Sequence, residues 1–494
     1  MTTTSTTPDI RPPTEHAPPP APRRTRGWFG ALLLRLHFYA GVLVGPFILV
    51  AATSGALYAI TPAVEQVVYD HELHVPATST TLSLAEQIDI AEASVGGDDV
   101  TLSAVRPAPE PGDTTRVMFA EEGLGSSESR AVFVDPGTGE VRGDLTVYGT
   151  SGALPLRTWV DQLHRSLHLG DVGRFYSELA ASWLGVVALA GLGLWIVRVR
   201  RTRRKAEMVR PSLRARGYRR LFSWHTSLGV WVLLGALFLS ATGITWSQLA
   251  GGRVGDLRSA LSWETPAVST SLGDGGAAPS GEHAGHGGTA AEPPGAANPA
   301  TFDAVLAIGQ RYNVDTGLVE IRPPAEPGTA WVVQEIQRSY PTEVDAVAID
   351  GTTMQVVDRT DFDEFPMPAK LTRWGIDLHM GSLFGLANQV VLFLVAGTIA
   401  TMVVLGYLMW WRRRPTRSPR TLAGSPPRRG VLRGAPWWGI AAVLAVACLV
   451  GWALPLVGWT LAGFVVLDVV LGAVAASQSG RSSVSARPES GRET

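Results

Sequence analysis

The sequence predicts a membrane α-helical protein: an internally duplicated four-helix core, a C-terminal transmembrane hairpin, and two small α+β domains outside the membrane. Three observations carry this. Apolar runs of about 20 residues, the length needed to cross a bilayer, recur along the chain. The same motifs return in the same order in two halves. Arginines crowd alternate connections. The averages alone would mislead, because 494 residues with net charge -1, 17% charged residues and a mean hydropathy of +0.14 resemble a soluble protein. Segregation into apolar spans and polar segments is what they hide.

Taken in order, residues 1–27 are rich in Pro and Thr and predict a disordered cytoplasmic tail. The first span is 28–61, too long for a signal-peptide core and repeated later, so it is expected to be retained. Residues 62–176 form the first outer domain and a His-bearing segment, and 177–198 the second span. A basic loop, 199–220, leads to the third span at 221–247. Residues 248–385 form the second outer domain, interrupted by a flexible Gly/Ala/Pro-rich linker at 273–299. The fourth span is 386–411, a second basic loop is 412–435, a hairpin of two spans fills 436–475, and 476–494 is a disordered tail. Six spans is the preferred count, with five and a re-entrant segment as the alternative. Both basic loops, with Arg23, Arg24 and Arg26, belong in the cytoplasm by the positive-inside rule, which places the N-terminus there and the two domains outside. The protein is thus expected to be multi-pass in the cell (inner) membrane, with the lipid bilayer as its first partner. No nucleic-acid motif is present.

The duplication is legible in detail. Arg106-Pro107-Ala108-Pro109-Glu110-Pro111-Gly112 returns as Arg322-Pro323-Pro324-Ala325-Glu326-Pro327-Gly328, and the Asp135-Pro136-Gly137-Thr138 turn as Asp350-Gly351-Thr352. Within each outer segment, one short helix (83–93; Phe302–Tyr312) precedes four strands. The strands are Thr101–Val105, Arg116–Ala120, Ala131–Asp135 and Glu140–Leu145, then Val319–Arg322, Ala330–Ile336, Ala346–Ile349 and Met354–Asp358. Neither segment shows a nucleophile–base constellation, so each reads as a binding or docking module.

Four histidines hold matching places. His37 and His225 each precede, by 18 residues, a glycine (Gly55, Gly243) that follows a hydroxyl residue (Ser54, Thr242). His164 and His379 each follow a leucine and precede a glycine by six residues, Gly170 and Gly385. Ionisable rings at membrane-helix ends usually have a partner or a task. Two symmetric layers suggest ligands for two metal centres, one near each face: His37 with His225 inside, His164 with His379 outside. His168, at i+4 from His164, shares its face if the segment stays helical and is the alternative outer ligand. A capped, hydrated side chain is the plainer reading of any single one of them.

Bis-histidine haem suits this pattern, since it needs two facing neutral imidazoles whose other nitrogens are hydrogen-bonded, and bundle cores hold cofactors. The lone Cys448 and the lack of Cys-x-x-Cys-His exclude thioether attachment, so two haems b would be held non-covalently. Gly41, Gly45, Gly229 and Gly235 read as close-packing positions. Trp183, Trp195, Trp231 and Trp246 read as interfacial belt residues, some beside a haem edge. Arg165 and Arg174 would attract an anion or neutralise propionates, or are simply solvated. Glu282-His283-Ala284-Gly285-His286 in the linker is a weak divalent-metal candidate. No dinucleotide or Walker motif is present, so electrons would come from a quinol or a separate reductase.

Together these residues make the chain similar to the PepSY-associated transmembrane family. They are His37 with Gly41 and Ser54-Gly55, and His225 with Gly229 and Thr242-Gly243. Added to these are Leu163-His164-Arg165-Ser166-Leu167 through Arg174, Leu378-His379 with Gly385, and the Asp135-to-Val141 turn of a PepSY-like domain. The likeness covers about residues 30–412 and leaves the hairpin aside. It implies inner-membrane proteins of iron uptake, some resembling haem-containing ferric-siderophore reductases acting on an external ferric chelate. A transporter of iron, copper or a chelate, and a docking scaffold, are the alternatives. Asp468 is read as the only acidic residue in an apolar span, with no mid-span breaks, which weighs against a transporter.

Overall fold

The structure, a computed structural model, describes residues 27–96, 100–125, 127–202, 205–273, 297–413, 427 and 430–484, with 207 and 475–484 as backbone only. The N-terminal tail, the linker with His283 and His286, and most of the second basic loop lie outside the described residues.

The first half runs α1 (Trp28–Leu43), α2 (Gly45–Val68), α3 (Asp70–Leu73), α4 (Leu84–Val95), β1 (Val100–Arg106), β2 (Thr115–Glu121), β3 (Glu128–Val134), β4 (Val141–Tyr148), α5 (Pro155–Ser166) and α6 (Gly170–Val199). The second half runs α7 (Gly217–Trp231), α8 (Leu233–Thr245), α9 (Leu249–Ala260), α10 (Ala300–Arg311), β5 (Val319–Arg322), β6 (Trp331–Glu335), β7 (Ala346–Ile349), β8 (Val356–Thr360), α11 (Met367–Met380) and α12 (Gly385–Arg412). Then follow α13 (Trp437–Ala453) and α14 (Pro455–Val484). The last helix continues past residue 476, where a disordered tail was expected.

The expected six spans are not all present. Among the described residues α2, α6, α12 and Pro455–Val474 of α14 are long and apolar enough to cross a bilayer, and α7 with α8 makes a fifth if counted as one span. The helices α1 and α13, of 16 and 17 residues, are about 24–26 Å long, short of a hydrocarbon core of about 30 Å. Mid-span breaks, which the sequence reading did not expect, occur in the first helical segment of each half. One falls at Val44, between α1 and α2, where Pro46 sits in the first turn of α2 and has no N–H to give. The other falls at Val232, where α7 and α8 meet at 61°. Each lies seven residues after the histidine of its segment.

The strands correct the expectation of two separate domains. All eight form one antiparallel sheet, ordered β4-β3-β2-β1-β5-β6-β7-β8, joined where Val105 of β1 pairs with Ile321 of β5. One apolar core serves both halves: Ile88, Val105, Val117, Phe119 and Val132 pack with Phe302, Ile321, Trp331, Val333 and Ile349. The carboxylate of Asp303 in α10 accepts the backbone N–H groups of Leu84 and Ala85 at the start of α4, at 2.9 and 3.0 Å. At the seam, Arg106 Nε donates to Glu320 at 2.7 Å, and Arg322 and Gln334 donate to the same carboxylate at 2.6 and 3.0 Å. The two turns read from the sequence are Asx turns. Asp135 accepts from Gly137 N at 2.7 Å and Asp350 from Thr352 N at 2.8 Å.

The C-terminal hairpin is tied to the core. Arg35 of α1 pairs with Asp468 of α14 at 2.7 Å, and Trp183 of α6 donates to Thr460 of α14 at 3.0 Å. Asp468 is not the only acid in a spanning helix. Glu178 of α6 is 1% exposed, and its carboxylate accepts the N–H groups of Leu249 and Ala250 at the start of α9, at 2.9 and 3.1 Å.

Candidate functional site

The first layer is built by α1 and α7. His37 and His225 come together with ring centroids 6.1 Å apart and planes inclined at 78°. Each Nδ1 is anchored on a backbone carbonyl of the helix beside it: His37 on Val187 of α6 at 3.0 Å, His225 on Met402 of α12 at 3.1 Å. A carbonyl accepts only, so each Nδ1 carries the proton and each Nε2 keeps its lone pair. Small residues make room for the rings. A Cβ at Gly191 would lie 3.1 Å from His37 Cε1.

The second layer repeats the logic with hydroxyls. His164, on amphipathic α5, sets Nδ1 3.1 Å from Ser54 Oγ of α2. His379, on α11, sets Nδ1 2.6 Å from Thr242 Oγ1 of α8. The hydroxyl residues that mark the repeat in the sequence therefore hold the second-layer histidines. The following glycines differ in what they face: a Cβ at Gly55 would lie 3.0 Å from His164 Cε1, whereas one at Gly243 would lie 3.1 Å from Ala181 Cβ of α6. Burial pushes the His379 imidazole pKa down, and the charge of His164 pushes it further the same way. Trp246 meets His379 edge-on at 5.5 Å. Two polar atoms beside this layer, Asn388 Oδ1 and Gln389 Oε1, are buried without a hydrogen-bond partner among the described residues.

His168 does not join them. The helix α5 ends at Ser166, and Leu167 and His168 take left-handed backbone at φ 53° and 56°. That turn breaks the i, i+4 relation to His164. His168 is exposed and rests on Trp159 at 5.1 Å.

Three of the four glycines read as packing positions do pack: Gly45 against Tyr407 and Val403, Gly229 against Met402, Gly235 against Val395. Gly41, one turn beyond His37, faces open space, with no atom within 4 Å of a Cβ built there. Of the four tryptophans, only Trp246 touches a layer histidine. Trp183 binds Thr460, and Trp195 and Trp231 bind the Met208 and Val209 carbonyls. Arg165 donates to Tyr148 OH at 2.6 Å and Arg174 to the Trp246 carbonyl at 2.9 Å. Sequence reasoning missed the support beneath His379. Asp377, fully buried, is held by Arg338 at 3.2 Å and Arg373 at 2.9 Å, and Arg338 also reaches Thr150 of the first half at 2.6 Å. The Asp377–His379 spacing was the available signal.

Among the described residues no three His, Cys, Asp or Glu side chains gather as a metal site. Each layer offers two imidazoles. The family model for the PepSY-associated TM region matches residues 34–413, which takes in all four histidines and the whole eight-stranded sheet but not the hairpin. No curated protein matches the chain.

Proposed function

The chain belongs to the PepSY-associated TM family, and on that premise we propose a two-haem electron carrier. It would lie in the cell membrane with the N-terminus cytoplasmic and reduce ferric chelates on the outer side. The duplicated halves would each supply one histidine to hold an inner haem b (His37, His225) and one to hold an outer haem b (His164, His379). The observation that carries the reading is the 6.1 Å spacing of the inner rings. A spacing of that size would let both imidazoles reach one metal ion between them at bonds of about 2.0–2.1 Å. Supporting it, both Nδ1 atoms face carbonyls and leave Nε2 as the ligating atom, and Gly41 leaves open space one turn from His37. A haem so held would supply a one-electron Fe(III)/Fe(II) couple whose potential follows ligand and burial.

The chain's own residues anchor and orient the rings. Carbonyls fix the tautomer in the inner layer. In the outer layer hydroxyls hold Nδ1, and Asp377 with its two arginines holds α11 against the sheet. The helix breaks at Val44 and Val232 favour a transporter as second reading, since discontinuous helices mark transport sites. Against it, the buried Glu178 is consumed in capping α9.

The test is a pyridine haemochrome assay on the full chain purified from haem-replete cells. Two haems b per chain are expected, and His37→Ala and His225→Ala should each remove one and leave the other. A colourless wild-type protein, or unchanged haem in both variants, would sink the proposal. Chelate uptake into proteoliposomes without reduction would put the transporter ahead.

A further inference from the structure

The helices α7 and α12 run antiparallel and meet at His225 and Met402. From that contact both continue toward the face bearing the basic loops, α7 back to Gly217 and α12 on to Arg412. These stretches are about 12–15 Å long at 1.5 Å per residue. Between them lies a pocket of about 490 Å³, lined by Arg216, Gly217, Arg220, Leu221, Trp224, Leu405 and Arg412. Arg216 caps α7, and 216, 220 and 224 follow one face of it, while 405 and 412 follow one face of α12.

The pocket is chemically two-part. Three guanidinium groups surround its mouth, and no carboxylate pairs with any of them among the described residues. The first turn of α7 adds free backbone N–H groups and the positive end of its dipole. Deeper, Leu221, Leu405 and Trp224 supply apolar walls, and Trp224 Nε1 is buried without a partner among the described residues. Neighbouring arginines are committed elsewhere: Arg198 stacks on Phe222 at 4.5 Å and Arg413 on Tyr218 at 5.2 Å. A guanidinium fork matches the oxygens of a phosphate. Basic pockets between helix ends at this interface take anionic lipid headgroups.

We propose that this pocket binds the phosphodiester of an anionic phospholipid, with Arg216, Arg220 and Arg412 on the headgroup and the leucines and Trp224 along the start of the acyl chains. The site does not depend on the haem reading, since none of its residues is a layer histidine.

The experiment is native mass spectrometry of the full chain released from mixed phosphatidylglycerol/phosphatidylcholine vesicles, counting retained lipid. Each arginine lost should weaken phosphatidylglycerol retention about fivefold, so Arg220→Gln with Arg412→Gln should reduce it about 25-fold. The control pair Arg198→Gln with Arg413→Gln should retain phosphatidylglycerol like the wild type. Equal retention of the two lipids by the wild type would overturn the proposal, as would equal losses in both variant pairs, which would mean that surface charge alone acts. Displacement of the lipid by inorganic phosphate would also overturn it, because the site would then read the free anion.

Discussion

Glu320→Gln tests whether the outer sheet is one folding unit. Glu320 sits at the β1–β5 seam, 1% exposed, between Arg106 of one half and Arg322 of its own. Burial pushes its carboxyl up, but Arg106 and Arg322 outweigh that and hold it at about 2, against an ordinary 4.5. The sign follows from linkage: the folded value is the lower one, so the contribution is complete above about 4.5 and drains away as pH falls toward 2. At about 1.4 kcal/mol per unit, the shift corresponds to about 3 kcal/mol, in the range of about 3–5 kcal/mol for breaking a buried pair by removing one partner. Glu320→Gln keeps the shape and leaves Arg106 buried without its counter-charge. Hydrogen–deuterium exchange of the full chain at neutral pH is the assay. Amides that exchange by opening of the seam should speed up about 100-fold in β1 and β5 together. Glu320→Leu with Arg106→Met should recover much of the loss, since apolar replacement of both partners spares the desolvation penalty. Faster exchange confined to β5–β8, with β1 unchanged, would refute the shared-sheet reasoning.

Three further outcomes are expected. Gly41→Leu should cost the inner haem equivalent while the outer remains, read by haemochrome, because the side chain would fill the open space beside His37. His168→Ala should leave haem content unchanged while His379→Ala removes one equivalent; loss of haem in the first would restore His168 as a ligand. A topology reporter after Arg417 should read cytoplasm and one within 275–288 outside; the reverse would invert the orientation.

Local chemistry was legible in the sequence, and its partners were not. The Asx turns at Asp135 and Asp350, the strands Val319–Arg322 and Ala346–Ile349, and the helix from Ala300 to Arg311 lie where periodicity and turn residues put them. The seam was invisible because Val105 and Ile321 are 216 residues apart and nothing local distinguishes an edge strand from a paired one. The spans were over-counted because hydropathy does not see where a helix stops: α13 has only 17 residues, and 221–247 reads as one apolar run although α7 and α8 meet at 61°. His168 was drawn into the outer site by assuming that α5 continued, whereas Leu167 ends it with a left-handed residue that sequence gives no reason to expect.

The breaks at Val44 and Val232 also relate the two layers. Each first helical segment carries a layer-one histidine before its break and, after it, the hydroxyl that holds a layer-two histidine: His37 then Ser54, His225 then Thr242. Seventeen residues of helix span about 25 Å if straight, which fits within a hydrocarbon core of about 30 Å, and the 61° bend at Val232 shortens that rise. The same segment therefore sets the depth of one layer and the ring orientation of the other. Thr242→Val makes the point testable. It keeps the shape but removes the 2.6 Å contact to His379 Nδ1, a buried hydrogen bond worth about 0.5–1.5 kcal/mol. The expected result is a weakened outer haem, lost first on detergent washing, with the inner haem intact because the His225–Met402 contact lies before the break. Loss of the inner haem alone would show that the break, and not the hydroxyl, governs the layers.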